Sequence, residues 1–224
     1  MSTFDLKLIP VETQELARTV ARRFPLLEAI ERAAGFLLLA AASPVILTSA
    51  VLITILSGRS PFVAHYRVGF LGKPFWTLKL RTMWRRSDPV GTSNWIERVV
   101  AEPQDDEKLP ADPRVTSRFA AFCRRHSIDE LPQLWQVLRG EMSLVGPRPL
   151  TRSELVRHYG VYTAELVSVK PGITGLWQVY GRSAIRFPQR SAMDLALVRS
   201  LAPAMYFKIL LRTLPEIIQG KNAR

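Results

Sequence analysis

Two carboxylates stand side by side in the stretch RRHSIDELPQLWQVLRGEMSLVGPRP, as Asp129 and Glu130. Arg124 and Arg125 precede them, and Arg148 follows in the same stretch. Adjacent carboxylates among cations have two readings. One is a helix cap: Ser127 with Glu130 three residues on has the form of a capping box, and each acidic group in a first turn gains ~0.3–1 kcal/mol from the helix dipole. The other is phosphoryl chemistry, with one carboxylate as nucleophile, a second to hold a hard cation, and arginines that grip phosphate bidentately. Pro132 weighs against the first. With Ser127 as N-cap, Pro132 would be the fifth helical residue and would lack the N–H that position donates. A helix beginning at Pro132, where proline is well suited, leaves both carboxylates in a turn ahead of it. Leu131, Leu134, Trp135 and Leu138 then form one apolar stripe, and Gly140 ends the helix. On these residues alone both readings stand.

Other elements must bring partners to this turn. SPFVAHYRVGFLGKPFWTLKLRTM (60–83) reads as two short strands in a hairpin around Gly72-Lys73. Lys79 and Arg81 alternate with Leu78 and Leu80 and so share a face, which for the pair alone is more simply a solvated one. Residues 85–113 are polar, proline-containing and locally acidic, and read as a surface loop with one helical turn near Trp95–Val100. RVTSRFAAFCRRHS (114–127) is a short basic helix, and SLVGPRPL and KPGITGLWQVYGR are tight loops that each carry a cation. There is no P-loop and no GxGxxG, so phosphate binding has to rest on Arg and Lys.

The most apolar stretch is AAGFLLLAAASPVILTSAVLITILSG (33–58), which carries no charge. A bilayer core ~30 Å thick needs roughly 20 such residues, so the stretch reads as membrane-inserted; a buried core helix is the soluble alternative. It lies too far in and is too long for a cleavable signal peptide. Ser43-Pro44 falls near its middle, where proline removes an intrahelical bond, and the Ser43 hydroxyl is available to a freed carbonyl. Arg18, Arg22, Arg23 and Arg32 precede the segment, and Arg59, Arg67, Lys73, Lys79 and Arg81 follow it. Basic flanks belong on the cytoplasmic side, and here both flanks are basic. A helix that enters, breaks at Ser43-Pro44 and leaves by the same face satisfies both better than a single span. The preceding TQELARTVARRFPLLEAIERAAG is amphipathic and suits a membrane surface; MYFKILLRTLPEIIQG near the end suits a surface helix or a core-facing one equally.

The net charge of +12 points to an anionic partner: nucleic acid, anionic lipid or a phosphorylated small molecule. A single cysteine, Cys123, excludes an internal disulfide, and three scattered histidines argue against zinc.

Three blocks then carry a resemblance. RVG with GKPF and KLRTM, the stretch DPRVTSRFAAFCRRHSIDELPQLWQVLRGEMSLVGPRPL, and KPGITGLWQVYGR resemble the signatures of the bacterial sugar transferases, also called monotopic phosphoglycosyl transferases. The likeness runs from about residue 27 to the C-terminus and includes Ser43-Pro44. It implies a mainly helical α+β monotopic membrane protein with a small β-hairpin, a broken re-entrant helix (33–58) between an amphipathic segment (1–32) and a cytoplasmic catalytic domain (59–224), and surface amphipathic helices. It implies transfer of a sugar-1-phosphate from a nucleotide sugar, with UDP the expected nucleotide, to undecaprenyl phosphate at the cytoplasmic face of the bacterial inner membrane. Nucleoside monophosphate is released, as a first membrane step of exopolysaccharide or other glycoconjugate synthesis. By the same resemblance Asp129 is the nucleophile, Glu130 assists with Mg²⁺, and Lys79, Arg124 and Arg148 surround the phosphates; Arg81 and Arg182 join them as candidates. A carboxylate nucleophile gives ping-pong kinetics through an acyl phosphate, and Arg124, Arg125 and the metal are expected to keep it ionised. Departures are Glu31-Arg32 where the family has a basic–aspartate pair, His65-Tyr66 where a glutamine is common, and a longer 85–113 loop. The expected partners are nucleotide sugar, polyprenyl phosphate, membrane and, in principle, a second copy in a homodimer. A nucleic-acid binder would have no use for the apolar segment or the paired carboxylates. A membrane scaffold that recruits later transferases without catalysis is the alternative function.

Overall fold

The computed structural model describes residues 25–84, 94–100, 114–181, 184–200 and 202–220. Its first element is helix α1, Pro25–Ser57. The apolar run alone would start the helix at 33, but the helix begins eight residues earlier. The reason is tertiary: its first turns carry Glu28, Glu31 and Arg32, each bonded to the domain that follows. Helical backbone also continues through Ser43-Pro44, so the expected break is a proline site within one helix. Ser43 Oγ donates to the Ala40 carbonyl at 2.8 Å, which is the acceptor that Pro44 cannot serve.

The hairpin forms as the sequence suggests. Strand β1 (Phe62–Val68) pairs antiparallel with β2 (Pro74–Leu80), Ala64 facing Leu78. The turn is closed by Gly69 N–H on the Lys73 carbonyl at 2.8 Å. In place of the helical turn expected near Trp95–Val100, the chain adds strand β3 (Ile96–Val99), parallel to β1, giving the order β2-β1-β3. Its Ile and Val residues favour a pleated neighbour, and the open edge of β1 supplies one.

The basic helix α2 spans Arg118–Arg125, capped by Ser117 Oγ on the Ala120 N–H. A 3-10 segment, Ile128–Gln133, then leads into α3, Leu134–Leu138. The cap at Ser127 is not formed: Ser127 sits in the left-handed region at φ 55° and its side chain makes no capping bond. The 3-10 turns absorb Pro132, and the α-helix starts two residues after it. Strand β4 (Ser143–Val145), α4 (Arg152–Tyr159), α5 (Thr163–Leu166), β5 (Gly172–Thr174), α6 (Leu176–Tyr180), α7 (Gln189–Arg199) and α8 (Pro203–Gln219) complete the order. The strands β4 and β5 are parallel, Val145 facing Thr174.

Packing explains how α1 is held. Ile46, Ser49, Ala50 and Ile53, at helical spacing, are buried, and the apolar ones pack with Leu80, Phe119, Ile128 and Leu131. Earlier in the helix, Gly35 meets α3 so closely that an added Cβ would lie 3.0 Å from the Val137 side chain. The opposite side of α1 presents Phe36, Leu37, Leu47, Val51, Ile55 and Leu56 to the surroundings. Within Leu26–Ser57 an 18-residue window reaches a mean hydropathy of 2.4 with only 22% of it buried, which does not suit the core helix of a soluble protein. In α8, Tyr206 and Ile209 dock on the domain while Phe207, Leu211, Leu214 and Ile218 form an exposed apolar stripe. The core-facing reading holds for one face of this helix, and the other face leaves its apolar stripe exposed.

Candidate active site

The cleft is built where the hairpin, the 3-10 segment and the two Gly/Pro loops meet. Strand alternation puts Arg67 on one face of β1 and Thr77 and Lys79 on the same face of β2. From the 3-10 segment come Glu130 and Gln133; from the two loops come Arg148, Pro149, Gly172, Ile173 and Gln178. The two loops can touch because both carry glycine at the crossing. A Cβ on Gly172 would fall 2.0 Å from the Gly146 backbone nitrogen, and one on Gly146 would fall 2.5 Å from the Lys170 carbonyl. Only hydrogen fits there. The crossing is held by Gly146 N–H on the Thr174 carbonyl and Gly172 N–H on the Pro147 carbonyl, both at 2.9 Å.

Lys79 Nζ lies 2.6 Å from Glu130 Oε1, so this end of the cleft pairs a cation with a carboxylate. Behind Glu130, Asp129 is 8% exposed. Burial is the main cause that raises its carboxyl to about 6, and Glu130 adds to it; Lys79, Arg124 and a backbone N–H pull the other way. Arg124 therefore does favour the charged form, as expected, but burial outweighs it, and Arg125 lies exposed with its stem against Gly220. At the other end Arg67 and Arg148 share the wall. Burial lowers the guanidinium of Arg67, Glu154 offsets part of that, and the charge of Arg148 lowers it again. His65, on the same strand face, is pushed down to about 4 by burial and then by Arg67, Lys79, Arg148 and Arg81. It is a neutral imidazole among cations, which is the field an anionic ligand would relieve.

Of the residues singled out in the sequence, Lys79, Glu130 and Arg148 line the cleft, with Asp129 and Arg124 beside it. Arg81 is not brought there. It is buried past the end of β2, its Nε donates to the Ser60 carbonyl at 2.7 Å, and its other nitrogen pairs with Glu97. Glu97 belongs to β3, which reads as loop in the sequence, so this competing use of Arg81 is hidden there. Arg182 lies outside the described residues. Arg67, Thr77, Gln133 and Gln178 are cleft residues that the motifs do not single out, although the two-residue period of the hairpin places Arg67 and Thr77 with Lys79.

A second polar cluster stands behind Arg148. Asp194 of α7 is 1% exposed and accepts from Tyr159 Oη at 2.7 Å. Burial raises its carboxyl to about 7, against the bond from Tyr159, the nearby Trp177 N–H and the charges of Arg148 and Arg190. Arg190 lies over the Trp177 ring at 4.6 Å, fixing the helix that carries Gln178.

Among the described residues no three His, Cys, Asp or Glu side chains gather as a metal cage. Two adjacent hard carboxylates suit the way Mg²⁺ is held by one or two protein oxygens with waters and substrate phosphates, so Asp129 and Glu130 fit a metal completed by substrate.

Residues 23–220 match the family model of the bacterial sugar transferases. The chain is 40% identical over 176 residues to the UDP-galactose-lipid carrier transferase of Erwinia amylovora, covering 74% of this chain and 35% of that protein. It is 36% identical over 191 residues to the exopolysaccharide production protein ExoY of Sinorhizobium fredii, covering 84% of each. Against the UDP-glucose:undecaprenyl-phosphate glucose-1-phosphate transferase of Caulobacter vibrioides it is 36% identical over 201 residues, 85% of this chain and 68% of that one. The chain thus spans about a third of the length of the Erwinia protein and most of the other two.

Proposed function

The chain belongs to the bacterial sugar transferase family, and we propose that it transfers a sugar-1-phosphate from a UDP-sugar to undecaprenyl phosphate at the cytoplasmic face of the bacterial inner membrane. The observation that carries the reading is a buried carboxylate, Asp129, beside a cleft whose walls hold Lys79, Arg67 and Arg148. Three cations against one lining carboxylate, Glu130, is a site for a doubly anionic diphosphate rather than for a neutral sugar. The names of the Erwinia and Caulobacter relatives, one a UDP-galactose-lipid carrier transferase and the other a UDP-glucose:undecaprenyl-phosphate glucose-1-phosphate transferase, support the same substrates.

In this reading a carboxylate oxygen of Asp129 attacks the sugar-bearing phosphorus of the UDP-sugar. The bond from that phosphorus to the bridging oxygen breaks, and UMP leaves with the electron pair. The phosphate oxygen of undecaprenyl phosphate then attacks the same phosphorus and returns Asp129 as the free carboxylate. Arg67 and Arg148 clamp non-bridging oxygens through paired N–H donors, and Lys79 neutralises charge near the attacking group. Glu130, held by Lys79, and Asp129 are the oxygens that would hold Mg²⁺, which supplies charge neutralisation on the diphosphate when bound.

We read α1 as inserted from one face of the bilayer. Support comes from its contacts on both sides of Pro44: Arg32 Nε donates to the Leu138 carbonyl at 3.0 Å, and Ile53 is fully buried in the cluster that holds Leu80. A helix gripped at both ends by one domain has no free end to send across. Cysteines placed at Ala29 and Ser57 should both react with an impermeant reagent from the cytoplasmic side; labelling from opposite sides would mean a span. For the activity, protein in lipid nanodiscs with Mg²⁺, undecaprenyl phosphate and a panel of UDP-sugars should release UMP with at least one donor. No release with any donor would leave the scaffold reading.

A further inference from the structure

We propose that Glu31, on the membrane helix, is a positioning residue for Arg148, and that with Glu28 it registers the β4–β5 unit that presents the phosphate clamp. This rests on the phosphoglycosyl transfer read above. Glu31 Oε1 accepts from three donors on two other elements: Ser143 Oγ and the Leu144 N–H at 3.1 Å, both in β4, and Tyr206 Oη of α8. A carboxylate is needed to serve three donors at once, because its charge strengthens every one of these bonds. One turn earlier, Glu28 Oε1 accepts from Lys170 Nζ at 2.7 Å, and Lys170 opens the loop that becomes β5. Arg32, next to Glu31, donates to the Leu138 carbonyl at 3.0 Å at the end of α3. Three charged groups on the first turns of α1 therefore fasten the end of α3, β4 and the approach to β5.

What these elements carry makes the fastening functional. From Leu144, bonded to Glu31, the chain runs through Val145 and the Gly146–Gly172 crossing to Arg148 in four residues. The crossing is rigid, with a ladder bond on each side and no room for a side chain. A shift of β4 is thus passed to Arg148 rather than absorbed. Neither Glu28 nor Glu31 lines the cleft, so neither touches substrate. The arrangement links the seating of the apolar helix to the placement of a phosphate-binding guanidinium, and a misplacement of about 1 Å in such a group costs up to about 100-fold.

The test is a double-mutant cycle on the full chain in lipid nanodiscs, reading UMP release with whichever donor of the UDP-sugar panel the wild type turns over. The variants are Glu31→Ala, Glu31→Asp, Ser143→Ala, Arg148→Lys and the doubles of Glu31→Ala and Ser143→Ala with Arg148→Lys. Glu31→Ala is expected to lower kcat/KM by about 10- to 100-fold, mainly through KM for the UDP-sugar, with partial rescue in Glu31→Asp. In the Arg148→Lys background the same change should cost less than about threefold, because the guanidinium it positions is gone. Losses that multiply in the double variant, or an unchanged Glu31→Ala, overturn the proposal. If Glu31→Ala does not fold, Ser143→Ala, which removes only a hydroxyl, decides the matter through the same cycle. Wild-type protein without UMP release would instead refute the activity, which separates the two failures.

Discussion

The two ends of the cleft neutralise charge in opposite ways. At one end Lys79 is already paired with Glu130 at 2.6 Å, and burial raises the carboxyl of Asp129 behind them to about 6. At the other, Arg67 and Arg148 share a wall, and burial first, then the charge of Arg148, weaken the hold of Arg67 on its proton. In the proposed mechanism the first end reacts and the second binds. As the proposed nucleophile, a carboxyl near 6 keeps its charge at neutral pH yet is a better base than an ordinary aspartate. On the same proposal a diphosphate would complete the arginine end, so that its repulsion becomes binding energy for the substrate.

Substitutions can separate these ends. Asp129→Asn should cost at least about 1,000-fold in kcat, since it removes the attacking atom. It should also raise Tm at pH 8. A folded carboxyl pushed up to about 6 makes the native state bind protons more tightly than the unfolded one, so its charge costs stability above pH 6. That gain should shrink as pH falls through 6, and thermal unfolding at pH 8 and pH 5 checks it. Arg148→Ala and Arg67→Ala should each lower kcat/KM by about 10- to 100-fold through KM, the size of a lost charged hydrogen bond. Should either change alter kcat alone, the division into a reacting and a binding end fails. The pH profile is a smaller effect: kcat/KM should fall by roughly tenfold between pH 7 and pH 5 as Asp129 takes up a proton. Smallest at the site is Arg81→Ala, which should leave KM within about twofold while lowering stability by about 1–3 kcal/mol through the loss of its bonds to the Ser60 carbonyl and Glu97.

Much of this is legible in the sequence where local pattern and chemistry coincide. The β1–β2 hairpin follows from alternation around Gly72-Lys73, and Asp129, Glu130, Lys79 and Arg148 follow from their charges and motifs. What stays hidden depends on contacts between distant segments. Strand β3 exists because β1 offers it an edge, and that pairing in turn captures Glu97 for Arg81. The left-handed Ser127 comes from the tight path between α2 and the 3-10 segment, which a capping pattern cannot foresee. Glu31 looks like an oddity at the mouth of an apolar helix, and its three donors come from positions more than 100 residues away. The apolar stripe of α8 is visible as a pattern, but which face of the helix docks is decided only by the burial of Tyr206 and Ile209.

Most central to the proposed reading is Asp129 as carrier of the sugar phosphate between the two substrates. Its most direct measurement is a single-turnover reaction with UDP-sugar and Mg²⁺ in the absence of undecaprenyl phosphate. A burst approaching one UMP per protein is expected, with the sugar phosphate retained on the chain and both lost in Asp129→Asn. UMP release that requires undecaprenyl phosphate from the first turnover, with no label on the protein, would contradict it.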